Sequence, residues 1–249
     1  MTLVLATHAP ADPDSVEPEI FASIQGEGPS IGRPVVFVRL SRCNLSCVWC
    51  DTAYTWHFEG DERPHSAGLT FDRKRNQVKL SPEDVAQRVR DLGHPHIVLT
   101  GGEPMLQANA LADMLDLLPD HTVEVETNGS VTPSPRLDVR IDQFNVSPKL
   151  AHSGNPADLA LVPERLDAFA TDGRAFFKFV IAEPADLDEV LALRDRYRFR
   201  PGHVFLMPEG TDSATLRRRM EWLAPLCLEH GFRLSDRMHI HLYGDTRGT

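Results

Sequence analysis

Residues 34–52 read PVVFVRLSRCNLSCVWCDT, a strand-like run followed at once by three cysteines. The run is rich in β-branched side chains and almost entirely apolar, which predicts a strand covered on both faces, as in a parallel sheet. The spacing Cys43-x3-Cys47-x2-Cys50 places three thiols on the loop that follows. Thiols clustered so tightly indicate metal or redox chemistry rather than a disulfide framework, which would close longer loops.

Five further strands are predicted by similar short runs, at 96–100, 122–127, 143–147, 176–181 and 203–207. Amphipathic helical patterns lie between these runs. The clearest begins at Ser81-Pro82-Glu83-Asp84, where an N-cap residue, a proline and two acids stand in the order that opens a helix. The alternation predicts an α/β fold with βαβ crossovers and a ligand site at the carboxyl ends of the strands.

Three segments depart from this alternation: residues 20–29, a charged polar insert at 57–79, and residues 150–175, which show only a weak helical pattern. The last two are predicted to be loops or short helices. Residues 20–29 (IFASIQGEGP) predict an extra strand and a glycine-rich turn ahead of the first repeat. The helical pattern over 212–230 contains Pro225, which is predicted to kink or divide the helix. Near the end of the chain, His239 and His241 alternate with apolar neighbours, as in a half-buried terminal strand.

Composition limits the classes of function that this chain can have. It has 249 residues and is 41% apolar, enough to bury the core of one domain. A formal net charge of −10 argues against a general affinity for nucleic acid or anionic membranes. The N-terminus lacks the basic region of a signal peptide, and no run approaches the length of a membrane span. We therefore expect a cytoplasmic protein without a nucleic-acid or membrane partner.

The cysteine loop allows more than one kind of centre. Thiolates bind soft metals, and an iron–sulfur cubane held by three cysteines leaves one iron open to a small molecule. Zinc held by the same cysteines and a histidine such as His57 is an alternative, and unliganded thiols are another. The residues of the loop leave these alternatives open. The fourth cysteine, Cys227, is predicted to pack as a small apolar residue within a helix.

Polar residues follow several of the predicted strands. Thr100-Gly101-Gly102-Glu103-Pro104 follows the second strong strand, and its two glycines expose backbone to a ligand, although an ordinary turn into a helix would use similar residues. ETNGS at 126–130 and SPK at 147–149 follow the next two strands. Lys178 lies on the fifth strand, and MPEG at 207–210 ends the sixth. We expect these groups to converge on one crevice.

Together, the cysteine loop and TGGEP resemble the radical S-adenosylmethionine superfamily. Within it, SIQGEGPSIGRPVVFVRLSRCNLSCVWCDT, ETNGS, VSPK and HIHLYGDTRG are similar to the 7-carboxy-7-deazaguanine synthase family of the deazapurine pathway leading to queuosine. The resemblance covers residues 19–248, and QGEG and CDT are its most specific parts. It implies a partial, open (β/α)6-type barrel with an extra N-terminal strand. Residues 1–18 would be an N-terminal extension, and residues 19–249 the radical S-adenosylmethionine catalytic domain.

The resemblance implies an activity, cofactors and partners. The activity is that of a carbon–nitrogen lyase, which converts 6-carboxy-5,6,7,8-tetrahydropterin to 7-carboxy-7-deazaguanine with loss of ammonia. A 5′-deoxyadenosyl radical takes the C6 hydrogen, and the ring then contracts. The implied cofactors are a [4Fe–4S] cluster, S-adenosylmethionine and Mg²⁺, and the implied partners are a second copy in a homodimer and an electron donor such as flavodoxin. The other hypotheses are a different radical enzyme, such as a glycyl-radical activase, and a zinc-stabilised binding module.

The resemblance also implies a role for individual residues. Cys43, Cys47 and Cys50 would hold the cluster, and Thr52 would bind magnesium. The residues implied for S-adenosylmethionine are Trp49, Asp51, Gly101, Gly102, Glu103, Asn128, Ser147 and Lys149. The residues implied for the pterin are Ile24, Gln25, Gly26, Glu27, Arg39 and Thr100. A surface ion pair is the alternative for Arg39, and Glu209, His239 and His241 carry no assigned role.

Overall fold

The computed structural model describes residues 1–8 and 16–249. Its strands, numbered along the chain, are β1 Leu3–Ala6, β2 Ile20–Ile24, β3 Pro34–Leu40, β4 Gln77–Leu80, β5 His96–Gly101, β6 Thr122–Thr127, β7 Gln143–Val146, β8 Ala175–Ile181, β9 Val204–Pro208 and β10 Arg233–Leu234. Its helices are α1 Arg73–Asn76, α2 Pro82–Leu92, α3 Ala108–Asp116, α4 Pro135–Asp138, α5 Ala157–Ala160, α6 Pro163–Thr171, α7 Asp186–Tyr197, α8 Ser213–His230 and α9 Met238–Tyr243. None of the helices in these described ranges combines the length and the apolar character needed to cross a membrane.

The strands form one sheet in the order β10-β9-β8-β7-β6-β5-β3-β1-β4, with β2 pairing alongside β3. Strand β3 and strands β5 to β10 form a parallel series, whereas β1, β2 and β4 pair antiparallel with their neighbours. Because β10 and β4 stand at opposite ends of this order, the sheet of the described residues is open. The predicted α/β fold with a partial, open barrel is confirmed, and β2 is the predicted extra strand.

The division of the chain at residue 18 stays a prediction. The β1 strand pairs with both β3 and β4, so this part of the proposed N-terminal extension belongs to the main sheet. Residues 9–15 of the same extension lie outside the described residues.

Alternation along the strands gives the sheet two different faces. On β3, Val36, Val38 and Leu40 lie in the main hydrophobic core, with helix residues such as Val85 and Leu111. Burying one such side chain contributes about 1.5–3 kcal/mol, so a shift of the strand by one residue would expose several of them at once. Side chains between these positions point to the opposite face, which we call the inner face.

The helix predicted at Ser81 is confirmed. The Ser81 hydroxyl accepts a hydrogen bond from the Asp84 amide at 3.1 Å, and Pro82 occupies the first turn. The helix ends at Gly93, whose φ of +73° is a left-handed conformation that glycine adopts without strain. Both ends of α2 are therefore encoded by local residue types.

The predicted division of a helix at Pro225 is wrong. The α8 helix is continuous from Ser213 to His230 with the proline inside it. Leu223 precedes the proline, Cys227 follows it, and both are buried against the main core. The burial of these side chains on both sides of Pro225 offsets the loss of the backbone hydrogen bond that the proline cannot make. Cys227 packs as the sequence predicts.

The predicted terminal strand at 239–242 is also wrong, because these residues lie in α9. Ile240 is buried in this short helix, whereas Leu242 is exposed. An alternation of four residues is too short to distinguish a strand from one helical turn.

Candidate active site

The carboxyl ends of the parallel strands open into a cavity of about 230 Å³. Neighbouring strands are in register there, with Arg39 beside Thr100 and Glu126 beside Asn145. Six successive parallel strands each contribute at least one inner-face side chain to its wall, among them Arg39, Thr100, Glu126, Asn145, Lys178 and Met207. The predicted convergence of polar residues on one crevice is therefore confirmed.

The cysteine loop forms another wall of this cavity. Cys43, Cys47 and Cys50 all line it as free thiols. Burial raises the pKa of Cys43 to about 12 and that of Cys50 to about 11, so a strongly cationic centre is needed to stabilise their thiolates. In the described part of the chain, no three or more His, Cys, Asp or Glu side chains are grouped to hold a metal ion. The three thiols line one cavity, whereas His57, the further ligand of the zinc alternative, is not in its wall.

The two glycines of TGGEP are required because the start of the cysteine loop passes against them. A Cβ atom on Gly101 would lie 2.0 Å from the Leu40 carbonyl oxygen, and the φ of Gly101 is +126°. The Gly102 amide donates to that same oxygen at 3.0 Å, and the Glu103 amide donates to the Arg42 carbonyl oxygen at 2.9 Å. The motif therefore fixes the backbone from which Cys43 projects.

Glu103 is fully buried, and its side chain does not line the cavity. Its carboxylate accepts hydrogen bonds from the Thr127 hydroxyl at 2.9 Å, the Asn128 amide at 2.8 Å and the Met105 amide at 3.0 Å. Burial nevertheless raises its pKa to about 7. The Glu103 carboxylate holds the Asn128 segment in place, and its predicted contact with S-adenosylmethionine stays a prediction.

The other residues predicted for S-adenosylmethionine share the cavity wall. The Lys149 Nζ donates to the Ser147 hydroxyl at 2.9 Å and lies 5.6 Å from the centre of the Trp49 ring. The buried Nε1 of Trp49 has no hydrogen-bond partner among the described residues. A buried donor without a partner, on a residue of the cavity wall, fits a polar ligand such as S-adenosylmethionine. The lining residues of this group are Trp49, Asp51, Gly101, Gly102, Asn128, Ser147 and Lys149.

The residues predicted for the pterin also line the cavity: Ile24, Gln25, Gly26, Glu27, Arg39 and Thr100. The Gln25 amide donates to the Glu124 carboxylate at 2.8 Å and to Glu126 at 3.3 Å. The Thr100 hydroxyl donates to Glu126 at 2.7 Å. These hydrogen bonds fix the orientation of three polar groups along one side of the cavity.

Arg39 lies in a buried ion pair within the cavity wall. Its Nε donates to the Glu19 carboxylate at 2.9 Å, and Glu19 is fully buried. The Tyr54 hydroxyl donates to the same carboxylate at 2.9 Å. The two terminal guanidinium nitrogens of Arg39 have no hydrogen bond to the described residues. The alternative prediction, a surface ion pair, is therefore wrong. The two terminal nitrogens of Arg39 remain able to donate hydrogen bonds to a ligand in one plane.

A network of charged side chains, which was not predicted from the sequence, lines the cavity beside QGEG. The Arg237 Nε donates to the Glu27 carboxylate at 3.0 Å, and another guanidinium nitrogen of Arg237 contacts Asp51. Lys178 also pairs with Glu27. Burial alone would raise the pKa of Glu27, but Lys178 and Arg237 outweigh it and hold that pKa well below its usual range. A lysine inside the apolar run FFKFVI was a usable signal for Lys178, whereas no local pattern marks Arg237.

The remaining candidates differ in position. Thr52 lines the cavity, and its hydroxyl lies 3.6 Å from the Cys50 sulfur. Glu209 and His239 also line the cavity, whereas His241 does not. The three residues without an assigned role therefore divide into two that reach the site and one that lies outside it.

The fold and the three-cysteine cavity define a radical S-adenosylmethionine enzyme. Residues 38–145 match the family model described as the Radical SAM superfamily. A 7-carboxy-7-deazaguanine synthase from Pyrobaculum aerophilum is 36% identical, over 92% of this chain and 95% of its own. Another, from Halobacterium salinarum, is 37% identical over 93% of this chain and 91% of its own. This chain belongs to the 7-carboxy-7-deazaguanine synthase family.

Solved structures agree with this membership. The crystal structure of QueE from Escherichia coli covers 96% of this chain and 95% of its own, with a TM-score of 0.63 and 26% identity. Streptococcus suis SuiB bound to S-adenosylmethionine has a TM-score of 0.53 at 14% identity, over 81% of this chain and 49% of its own, which shows the shared fold alone. Membership of the radical S-adenosylmethionine superfamily implies S-adenosylmethionine and a [4Fe–4S] cluster as cofactors. The resemblance predicted from the sequence is therefore confirmed.

Proposed function

We propose that this chain converts 6-carboxy-5,6,7,8-tetrahydropterin to 7-carboxy-7-deazaguanine with loss of ammonia. The observation that carries the proposal is the meeting of the cysteine loop with the polar inner face of the sheet in one cavity. Arg39 lies near the end of β3, and Cys43 lies in the loop that follows this strand. On β5, Thr100 is followed at once by Gly101. Each of these strands therefore leads from a residue that we assign to the substrate to one that we assign to the cofactors.

Cys43, Cys47 and Cys50 would hold the cluster. The backbone of Gly101 and Gly102 and the side chains at the ends of β6 and β7 would hold S-adenosylmethionine. When bound, these cofactors supply the 5′-deoxyadenosyl radical that takes the C6 hydrogen of the pterin. The protein would hold the two reactants in one orientation within the cavity.

Arg39 would bind the carboxylate of the pterin. Its Nε is occupied by Glu19, while its terminal nitrogens remain available as two donors in one plane. Such a fork matches a carboxylate. Gln25, Thr100 and Glu126 would face the pyrimidinone edge, where the Glu126 carboxylate accepts hydrogen bonds from ring N–H groups.

Thr52 would bind Mg²⁺ beside the substrate. Hydroxyl and carboxylate oxygens are hard ligands, and magnesium commonly combines one or two protein ligands with oxygens of the substrate. The ion would then orient the pterin carboxylate during ring contraction. The homodimer, the flavodoxin-type electron donor and the cytoplasmic location stay predictions of the family resemblance.

The test is an anaerobic reaction read by mass spectrometry. The protein is reconstituted with iron and sulfide and mixed with S-adenosylmethionine, dithionite, Mg²⁺ and the tetrahydropterin. We expect 7-carboxy-7-deazaguanine from the parent protein and none from Cys47→Ala. 5′-Deoxyadenosine without the deazaguanine would contradict the substrate and favour another radical enzyme. Neither compound from a protein with an intact cluster would contradict the function as a whole.

A further inference from the structure

The loop that follows SPK packs against the cysteine loop on both sides of Cys47. The Ser46 amide donates to the Asn155 side-chain oxygen at 2.8 Å, and the Val48 amide donates to the Ser153 carbonyl oxygen at 3.0 Å. Between these partners, Gly154 has a φ of +75°, and a Cβ atom there would lie 2.8 Å from Val48. The backbone on either side of Cys47 is therefore held by a segment more than a hundred residues away along the chain.

Asn155 also contacts the Cys47 sulfur itself. Its Nδ2 lies 3.2 Å from that sulfur and also donates to the Ser153 hydroxyl at 3.1 Å. The orientation of the amide is fixed chemically, because its oxygen must face the Ser46 N–H. The NH₂ group must then face the thiol. The other two sulfurs have different neighbours: the Leu45 amide lies 3.4 Å and the Asn128 Nδ2 3.9 Å from Cys43, and the side chains of Thr52 and Trp56 contact Cys50.

A donor aimed at a cysteine sulfur changes the chemistry of a cluster bound there. One-electron reduction by the external donor adds one negative charge, part of which resides on the cysteine sulfurs. The positive end of an N–H dipole stabilises that added charge, so it favours the reduced form. Hydrogen bonds to sulfur are among the factors that set the potentials of iron–sulfur clusters.

We propose that Asn155 is a positioning residue for Cys47 and that its N–H raises the reduction potential of the cluster. The inference rests on the [4Fe–4S] cluster of the proposed function and adds a residue that touches no substrate. Asn155 orients the Cys47 sulfur through two contacts: its side-chain oxygen accepts from the Ser46 amide, and its Nδ2 contacts the sulfur itself.

Two substitutions separate these contacts. Asn155→Asp keeps an oxygen for the Ser46 amide but, when ionised, has no hydrogen to donate to Cys47. Asn155→Ala removes both contacts without adding charge. Asn109→Ala is the control, because it makes the same change at an exposed position on α3.

The measurement is the midpoint potential of the reconstituted cluster, followed by EPR during a redox titration without substrate. We expect a lower potential in both Asn155 variants, an unchanged potential in Asn109→Ala and better iron retention in Asn155→Asp than in Asn155→Ala. An Asn155→Ala cluster with the parent potential would overturn the proposal. If that variant loads too little cluster to titrate, a parent-like potential in Asn155→Asp would overturn the proposal, because both the lost N–H and the added negative charge should lower the potential.

This test is independent of turnover. A parent protein that binds no iron–sulfur cluster would contradict the proposed function. A parent that binds the cluster and forms the deazaguanine, while Asn155→Ala keeps its potential, would contradict only the role of Asn155.

Discussion

A Cβ atom on Gly102 would lie 2.0 Å from the carbonyl oxygen of Arg42, the residue that precedes the first cysteine of the loop. Arg42 has a φ of +78°, an uncommon conformation for a residue with a side chain. The loop that carries the thiols is thus shaped by contact with the βα turn after β5. Two motifs separated by about sixty residues in the sequence form one unit in the fold.

The first prediction concerns this contact. Gly102→Ala should displace the backbone of Arg42 and Cys43 and weaken iron binding roughly tenfold, as changes in the support of metal ligands commonly do. The measurement is iron and acid-labile sulfide per protein after reconstitution. Gly173→Ala is the control, because a Cβ atom there meets nothing within 4 Å. Equal iron content in Gly102→Ala and the parent would show that the close approach is not required.

The second prediction concerns the buried cation at the end of the chain. Arg237→Met should lower the free energy of unfolding by about 3 kcal/mol, because Glu27 and Asp51 lose a buried partner. Chemical denaturation of the apoprotein measures this loss. Adding Asp51→Asn should recover part of it, and the exposed Arg136→Met should change stability little. A loss below about 0.5 kcal/mol would contradict the structural role of Arg237.

The third prediction concerns the binding of the substrate carboxylate. Arg39→Lys keeps the positive charge near Glu19 but loses the planar fork, so the KM for the pterin should rise roughly 10- to 100-fold. Steady-state kinetics with S-adenosylmethionine at saturation gives this value. Arg165→Lys, at an exposed position, should leave KM unchanged. An unaltered KM in Arg39→Lys would remove Arg39 from the substrate site.

The fourth prediction concerns pH. Because burial raises the pKa of Glu103 to about 7, the folded protein binds more protons than the unfolded chain between pH 4.5 and that value. The free energy of unfolding contributed by Glu103 should therefore fall as the pH rises through this window, with a slope approaching about 1.4 kcal/mol per pH unit, and level off above it. Denaturation of the apoprotein across this range, compared with Glu103→Gln, isolates the slope. The same slope in both proteins would contradict the raised pKa.

The fifth prediction concerns magnesium. Thr52→Ala removes a hydroxyl ligand, so the stimulation of turnover by Mg²⁺ should be largely lost. Thr52→Ser keeps the oxygen and should keep the stimulation. A magnesium response in Thr52→Ala that matches the parent would remove Thr52 from the proposed ion site.

Most of the parallel sheet could be predicted because its strands are buried on both faces and read as apolar runs. β3 and β6 have the predicted bounds, and α2 begins at its predicted cap. The strands that the sequence did not reveal are short and include the two at the ends of the strand order, β4 and the two-residue β10. Such strands form through tertiary pairing, because their own residues give little periodic signal.

The site was predictable where one motif supplies several residues and unpredictable where distant residues meet. The cysteine loop and TGGEP each carry their own pattern, and the alternation in TVEVET was a usable signal for inner-face Glu126. Arg237 pairs with Glu27 across 210 residues, and Asn155 reaches Cys47 across 108. No local pattern specifies such pairs, because they depend on how the whole sheet is ordered.

The most direct test uses the tetrahydropterin labelled with deuterium at C6. In the proposed function, one cavity holds this position against the carbon radical of the cofactor. After anaerobic reaction of the reconstituted protein with S-adenosylmethionine, dithionite and Mg²⁺, mass spectrometry should find deuterium in the 5′ position of the adenosyl group. Formation of 7-carboxy-7-deazaguanine with no deuterium transferred to that group would contradict the claim.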